Sequence, residues 1–315
     1  MLGGRVKSSI KLLLKVSRLP GYRRLQQYFG SRPCNPFLKF AAAGHFYSPI
    51  PELLEVERDR ERIYPEPTPR TLPGIETCEL AQRHLLDEFA EYLADCPFEG
   101  EQPARRYSPN NTFFSIASAV LLHGVLRHFR PQRIVEVGSG YSSAVMLDTN
   151  EFCQLGIEEF TFIDPYPERL QSLLTENDRK HCRVINQGVQ SVPNSVFESL
   201  QENDLLFIDS SHVAKTGSDV VHLMTKIIPM LRPGVVVHVH DIYWPFEYPL
   251  AWLRQGIAWN EAYLLHAFLL LNSEFKIVLF NDFCFKHLPE QLKKCLPAFD
   301  DAGSSLYFRR VINNS

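Results

Sequence analysis

The chain has 315 residues, enough for one large domain or for one domain and a substantial extension. A composition of 45% hydrophobic and 22% charged residues, with 22 Phe and 12 Tyr, is that of a soluble globular protein, and a net charge of −3 gives the whole molecule no general attraction for nucleic acid. No apolar run approaches the roughly 18 uncharged residues that cross a membrane, and the seven scattered cysteines, without a CxxC pair, argue against a disulfide framework or thiolate zinc site and suit a reducing cytoplasm.

From Met1 to Gly30 every charged side chain is basic (Arg5, Lys7, Lys11, Lys15, Arg18, Arg23 and Arg24), with Ile10, Leu12, Leu13, Leu14 and Val16 between them. A secretory signal needs an unbroken apolar stretch and a small-residue cleavage site, and neither is visible. Two readings fit: a basic amphipathic helix making peripheral contact with an anionic membrane, and a solvated helix packed on the domain or on a partner subunit of a homo-oligomer. Further on, the prolines of His45-Phe46-Tyr47-Ser48-Pro49 and Tyr64-Pro65-Glu66-Pro67 restrict helix formation. Residues 1–74 are therefore expected to form a helical and irregular extension, an arm or lid, before a main domain over 75–315.

Apolar positions at helical spacing predict helices over Glu79–Leu93 and, after Pro109-Asn110-Asn111, over Thr112–Phe129. From Arg133 the pattern changes to short β-branched runs. Strands are predicted at Arg133–Val137, Glu159–Ile163, Cys182–Asn186, Asp204–Ile208, Val235–Val239, Phe275–Phe280 and Ser305–Arg309. Between the first five lie amphipathic stretches at Ser142–Asn150, Pro167–Glu176, Ser195–Glu202 and Ser218–Met230, and a further helix is expected around Glu261–Leu271. This alternation predicts an α/β fold, a mostly parallel sheet with helices on both faces, and the last two strands suit an antiparallel hairpin at its edge.

Open parallel sheets bind ligands at the carboxyl ends of their strands, beside the topological switch point. The first strand ends in Glu136-Val137-Gly138-Ser139-Gly140-Tyr141-Ser142-Ser143, where glycines let the backbone approach a ligand and the next helix offers its free N–H groups. Dinucleotide-binding turns share G-x-G, but their third glycine is replaced here by Ser143. Glu136 would repel a pyrophosphate and suits an amino-acid-bearing cofactor whose ammonium it can accept. Asp164-Pro165, after the second strand, can take both hydroxyls of a ribose, and Gln190 in Asn186-Gln187-Gly188-Val189-Gln190 can present an amide edge to adenine.

Val135-Glu136-Val137-Gly138-Ser139-Gly140, Phe162-Ile163-Asp164-Pro165, Phe207-Ile208-Asp209-Ser210-Ser211-His212 and Leu231-Arg232-Pro233-Gly234 with His240-Asp241-Ile242 resemble, in order, the motifs of class I S-adenosylmethionine-dependent methyltransferases. The resemblance is strongest to the bacterial methyltransferase domain 24 group and runs from about Tyr107 to the C-terminus. It implies a Rossmann-like seven-stranded sheet, S-adenosylmethionine as cofactor, and methyl transfer to an oxygen or nitrogen of a small molecule or a sugar or glycan unit. It also implies that the region of Tyr107, Asn110 and Asn111 covers the methionine part of the cofactor. The arrangement is similar to that of catechol O-methyltransferases: Asp209 and Asp241 match aspartates that hold Mg²⁺ there, His212 stands at the position of a lysine base, and Ile242 replaces an asparagine ligand.

Methyl transfer requires a positioned nucleophile and often removal of its proton. Asp209, His212, His240 and Asp241 are the candidate catalytic residues. A divalent metal is left open: the histidines suit a softer ion than Mg²⁺, and a metal-free mechanism with His212 or His240 as base fits equally. His238 reads as a packed core residue, and Lys215 and Asp219 as the opening of the next helix. Tyr243-Trp244-Pro245-Phe246-Glu247-Tyr248-Pro249 is read as a wall of the acceptor pocket, as a lid packed on the N-terminal arm, or as both. The rival readings are an NAD(P)-dependent oxidoreductase and a catalytically silent methyltransferase-like binding domain.

Overall fold

The computed structural model describes residues 40–98, 105–298 and 300–311. The basic segment from Met1 to Gly30, with its membrane reading, lies outside them, as does Cys34. The chain divides into two compact units after Asp59. In the first, Glu52 caps a short helix α1 (Leu53–Arg58), its side chain accepting from the Leu54 N–H. The second unit, from Arg60, carries everything that follows and includes residues 60–74.

The second unit begins with α2 (Arg60–Ile63), α3 (Glu79–Tyr92) and α4 (Ile116–Phe129). Ser115 caps α4 by accepting the Ser118 N–H, and the ten residues from Ala117 to Leu126 are all buried, so this helix is enclosed on every side. The alternating part then runs β1 (Arg133–Val137), α5 (Tyr141–Cys153), β2 (Glu159–Ile163), α6 (Glu168–Leu173), α7 (Glu176–His181), β3 (Cys182–Ile185), α8 (Ser195–Glu198) and β4 (Leu205–Ile208). It continues through α9, β5 (Val236–Val239), α10 (Leu250–Arg254), α11 (Glu261–Leu269), β6 (Phe275–Phe280), α12 (Asn281–His287), α13 (Pro289–Cys295) and β7 (Leu306–Arg310). Helix α9 is composite: Asp219–His222, a π-helical turn Leu223–Ile227, then Ile228–Met230. The turn ends two residues before Pro229, which has no N–H to return to Thr225 and so loosens the regular ladder.

The seven strands form one sheet in the order β3-β2-β1-β4-β5-β7-β6. The first four pairings are parallel, and only β7 runs against its neighbours. Every residue of β4 and β5 is buried, which requires layers on both faces of the sheet. The Rossmann-like expectation holds, and each expected strand lies within a residue of its observed bounds. The expected antiparallel pair at the C-terminus holds, with a longer connection than a tight hairpin has. β6 and β7 do pair antiparallel, but α12 and α13 separate them, burying Phe283, Cys284, Leu292 and Cys295 in the core. The Pro167–Glu176 stretch also divides, because Thr175 leaves α6 and caps a second helix, α7.

All six described cysteines are free; Cys284 and Cys295 are buried and the other four half-buried. Among the described residues no helix is long and apolar enough to cross a membrane.

Candidate active site

The chain reverses direction across the sheet between β1 and β4, and the parallel register makes the strand ends there level. Val137 pairs with Ile163 on one side and Ile208 on the other, and Ile208 pairs with Val239. The residues that follow, Gly138, Asp164, Asp209 and His240, therefore form a row along the carboxyl edge, where open α/β sheets bind ligands.

At the β1 end the backbone must turn within a narrow gap. Gly138 has φ +81°, and a Cβ there would lie 1.7 Å from the Asp209 carbonyl oxygen, so this position tolerates only glycine. Glu136 is wholly buried beneath this loop and accepts from the Ser142 and Ser143 hydroxyls. Ser143 Oγ also accepts the Gly140 N–H, which explains a serine at the place of a third glycine. Burial raises the Glu136 pKa; the two serines pull it back, Asp209 and Asp164 push it up, and it reaches about 8. Asp164 accepts the Ser139 N–H (2.9 Å) and hydroxyl (3.0 Å) on one oxygen and the Tyr166 N–H (2.7 Å) on the other. It remains half-exposed with lone pairs to spare for hydroxyl donors. Arg169 reaches back over the loop, its guanidinium 3.6 Å from the Phe113 ring centre, and Phe113 stacks on Tyr141.

On the β4 and β5 side, one oxygen or nitrogen each of Asp209, His212 and Asp241 lie within 4.8 Å of one another. His212 Nε2 is 3.3 Å from Asp209 Oδ1 and 3.7 Å from Asp241 Oδ2. Its other nitrogen, Nδ1, is 2.9 Å from Glu261 Oε2. Asp241 also accepts the Ser304 hydroxyl at 2.7 Å. Both His212 (φ +58°) and Asp241 (φ +57°) hold left-handed backbone conformations, which cost free energy in residues with a Cβ and gather at functional sites. Burial disfavours charge on His212, but hydrogen bonds to Asp209 and Glu261 outweigh it and raise its pKa to about 10. Burial likewise opposes ionisation of Asp209, yet His240 and His212 hold its carboxyl below the usual range. Both ring nitrogens of His212 thus face carboxylates, Nε2 toward Asp209 and Nδ1 toward Glu261. The three carboxylates around it require a positive charge at their centre, which a proton or a metal ion can supply.

His240 is buried against Phe114, with Nδ1 3.3 Å from the Ser305 hydroxyl and Nε2 3.8 Å from Asp241 Oδ1. It lines a cleft of about 330 Å³ together with Asp241, Tyr243, Trp252, Asp282 and Ser304. His238 is a core residue as expected, stacked on Phe207 at 3.6 Å with neither ring nitrogen hydrogen-bonded, and burial drives its pKa well down. The aromatic loop lines the cleft at one point and packs on residues 60–74 at others. Tyr243 faces the cleft, while Trp244 Nε1 donates to the Pro69 carbonyl and Tyr64 donates to the Tyr248 carbonyl.

Several expected contacts are taken up by the fold itself: Glu136, expected as an ammonium acceptor, is buried with both oxygens on Ser142 and Ser143, and three more residues follow the same pattern. Tyr107 is buried, its hydroxyl donating to the Phe114 carbonyl and its N–H to Asp148. Asn111 spends its side chain on a turn, donating to the Ser108 and Phe114 carbonyls and accepting the Phe113 and Phe114 N–H groups. Gln190 donates its amide to the Gly217 carbonyl rather than standing free for adenine. Asp219, expected as a helix opener, accepts the Ser211 N–H and hydroxyl and so braces the loop that carries His212. Glu261 and its neighbour Trp259, whose ring lies 4.2 Å from that of His212, escaped the sequence reading. An acidic first-turn residue ahead of an apolar helix reads as a partner of the helix dipole.

A family model described as a methyltransferase domain matches residues 135–242, the stretch that holds the whole strand-end row. An uncharacterised protein of Archaeoglobus fulgidus is 36% identical over 171 residues, 52% of this chain and 76% of its own length. The chain belongs to the methyltransferase domain family. Among solved structures, the methyltransferase resembles the Podospora anserina methyltransferase PaMTH1 with bound SAH (16% identity, 82% of this chain and 97% of that one, TM-score 0.40). It also resembles a structure described as cmcI-D160 Mg-SAM (18% identity, 70% and 84% coverage, TM-score 0.40). The four motifs quoted from the sequence all fall within the matched segment.

Proposed function

We propose that this methyltransferase uses S-adenosylmethionine to methylate a hydroxyl oxygen of a neutral small molecule or sugar unit, with a divalent cation held by Asp209, His212 and Asp241. What supports the reading is the level row of strand ends, with a ribose acceptor and glycine loop on one side and a buried carboxylate–imidazole cluster opening on a cleft on the other. The donor chemistry fits: two carboxylates and one imidazole within 4.8 Å suit a borderline divalent ion better than Mg²⁺. When bound, the cofactor supplies an electrophilic methyl group, and the cation lowers the pKa of a hydroxyl in contact with it.

The residues of the chain do the rest. The Gly138–Gly140 loop admits the amino-acid end of the cofactor, with Arg169 above it, and Asp164 accepts the ribose hydroxyls. His240 Nε2, at the cleft wall beside Asp241, is the group placed to take the acceptor proton. The cleft is lined by carboxylates, serines and the rings of Tyr243 and Trp252, with no Lys or Arg among the described lining residues. Such a wall favours an acceptor presenting hydroxyls over one carrying carboxylate or phosphate.

Calorimetric titration of metal-stripped protein with S-adenosylmethionine tests this. Micromolar affinity, about −8 kcal/mol, weakened tenfold or more by Asp164→Ala and unchanged by Asp241→Ala, is expected. Mn²⁺ should bind the wild type and not Asp241→Ala. Failure of the wild type to bind the cofactor, with or without Mn²⁺, would leave a silent scaffold as the correct reading.

A further inference from the structure

We propose that Trp259, Asn260 and Glu261 form a positioning clamp on His212, in which Glu261 fixes the ring so that Nε2 is the nitrogen offered to a divalent transition-metal ion. The proposal rests on the cation reading above and extends it to residues 47 to 49 positions away from the histidine.

Three consecutive residues hold three different parts of His212. The Trp259 ring covers the imidazole face, with centroids 4.2 Å apart. The N–H groups of Asn260 and Glu261 both donate to the His212 carbonyl, at 3.1 and 3.2 Å. Glu261 Oε2 accepts from Nδ1 at 2.9 Å. The Asn260 side chain extends the grip, accepting the Ala214 N–H at 2.6 Å and donating to the Ala214 carbonyl. His212 needs such support, because its left-handed backbone is not one it would hold unaided.

Glu261 is the costly member. It has no solvent exposure, and its second oxygen, Oε1, has no hydrogen-bond partner. A carboxylate in that state costs folding free energy, and an apolar residue at this helical position would avoid the cost. Its one polar partner is the imidazole. With the Nδ1 proton committed to Glu261, an ion that displaces the second proton meets Nε2 between Asp209 and Asp241, a face of one nitrogen and two oxygens. A carboxylate behind a ligating imidazole fixes the tautomer and raises ligand basicity, and losing one typically costs about 10–100-fold in metal affinity. Glu261 is thus a positioning residue: it acts through His212 and touches neither substrate nor ion.

Co²⁺ reports both affinity and ligand field. Full-length, metal-stripped protein would be titrated with Co²⁺ by calorimetry and by its visible d–d bands, in wild type, Glu261→Gln, His212→Ala and the double variant. Glu261→Gln, which keeps the shape and an acceptor oxygen but loses the charge, should weaken Co²⁺ about 10–100-fold and shift the bands. In the His212→Ala background the same change should add less than twofold, since the clamp works only through the ring. If wild type binds Co²⁺ and Glu261→Gln binds equally with the same spectrum, the clamp is wrong while the cation site stands. If wild type binds no Co²⁺, the cation site itself fails and the clamp with it. Should Glu261→Gln not fold, ¹⁵N-histidine spectra of the Zn²⁺-loaded wild type decide: an Nδ1–H tautomer at His212 supports the clamp, and an Nε2–H tautomer overturns it.

Discussion

Glu136 lies at the end of β1 with no exposure, and a carboxyl placed there meets opposing demands. The Ser142 and Ser143 hydroxyls stabilise its charge, whereas burial and the nearby Asp209 and Asp164 oppose it, leaving a pKa of about 8. Its folded-state value lies above the unfolded value near 4.3, so its contribution to stability is fully present below about pH 4 and is lost as pH rises toward 8. Glu136→Gln keeps the size and the acceptor for one serine but cannot ionise. Urea denaturation of both proteins between about pH 5 and 8 should show the wild type losing a few kcal/mol, at about 1.4 kcal/mol per pH unit, relative to the variant. Parallel curves would assign the ionisation elsewhere. At this scale the sequence was informative about position: Glu136, Asp164, Asp209 and Asp241 all stand at or just beyond the carboxyl ends of strands, where the alternating pattern put them. It was uninformative where a side chain of the same type serves its own loop, as Asn111 does, or where a partner arrives from a distant helix, as Glu261 does.

Elements were legible in proportion to how strongly local pattern constrains them. β1, β2 and β6 match their expected bounds because β-branched and aromatic runs end abruptly at charged or turn residues there. α12 and α13 were missed because they are short, separated by Leu288 alone with Pro289 opening the second, and bury only a few residues each. Their helicity is decided by packing on α3 and the sheet, through contacts such as Cys284 to Gln82 and Cys295 to the Leu86 carbonyl. The tie between the segment before α4 and the α5–α7 layer was equally invisible, since it depends on one residue. Arg106 bonds Asp178 through Nε and Nη2, and Asp148 and Glu151 through Nη1, all at 2.8 Å. Arg106→Met would leave Asp148 and Asp178 buried without their cation and should cost about 3–5 kcal/mol in denaturant unfolding near neutral pH. Burial acts to raise the Asp178 pKa, but Arg106 and Thr175 outweigh it and hold the carboxyl below its usual value. That part of the stability is present above the unfolded value near 3.9 and is lost as pH falls below it. The gap between wild type and variant should therefore narrow below about pH 4, whereas a constant gap would mean that Arg106 acts by packing alone.

Charge is divided unevenly over the whole molecule. Seven basic and no acidic residues stand between Met1 and Gly30, so against a total of −3 the remainder of the chain carries −10. An anionic membrane would attract the first part and repel the second, and the balance depends on distance. At about 0.1 M salt the Debye length is about 10 Å, so a segment lying on the surface feels the attraction in full while most of the acidic remainder is screened. Each basic side chain near such a surface contributes about 1 kcal/mol, and Ile10, Leu12, Leu13, Leu14 and Val16 supply apolar area for the interface. We therefore propose peripheral membrane contact through this segment, which would bring the methyltransferase to hydroxylated acceptors carried on lipid. The full chain should co-sediment with vesicles of phosphatidylcholine and phosphatidylglycerol, not with phosphatidylcholine alone, and high salt should release it. Lys11→Glu, Lys15→Glu and Arg18→Glu together should abolish binding while leaving cofactor affinity unchanged, because none of the three belongs to the strand-end row. A full chain that ignores both kinds of vesicle would leave packing on the domain or on a partner subunit as the use of the segment. Its oligomeric state and salt dependence would then be the quantities to measure.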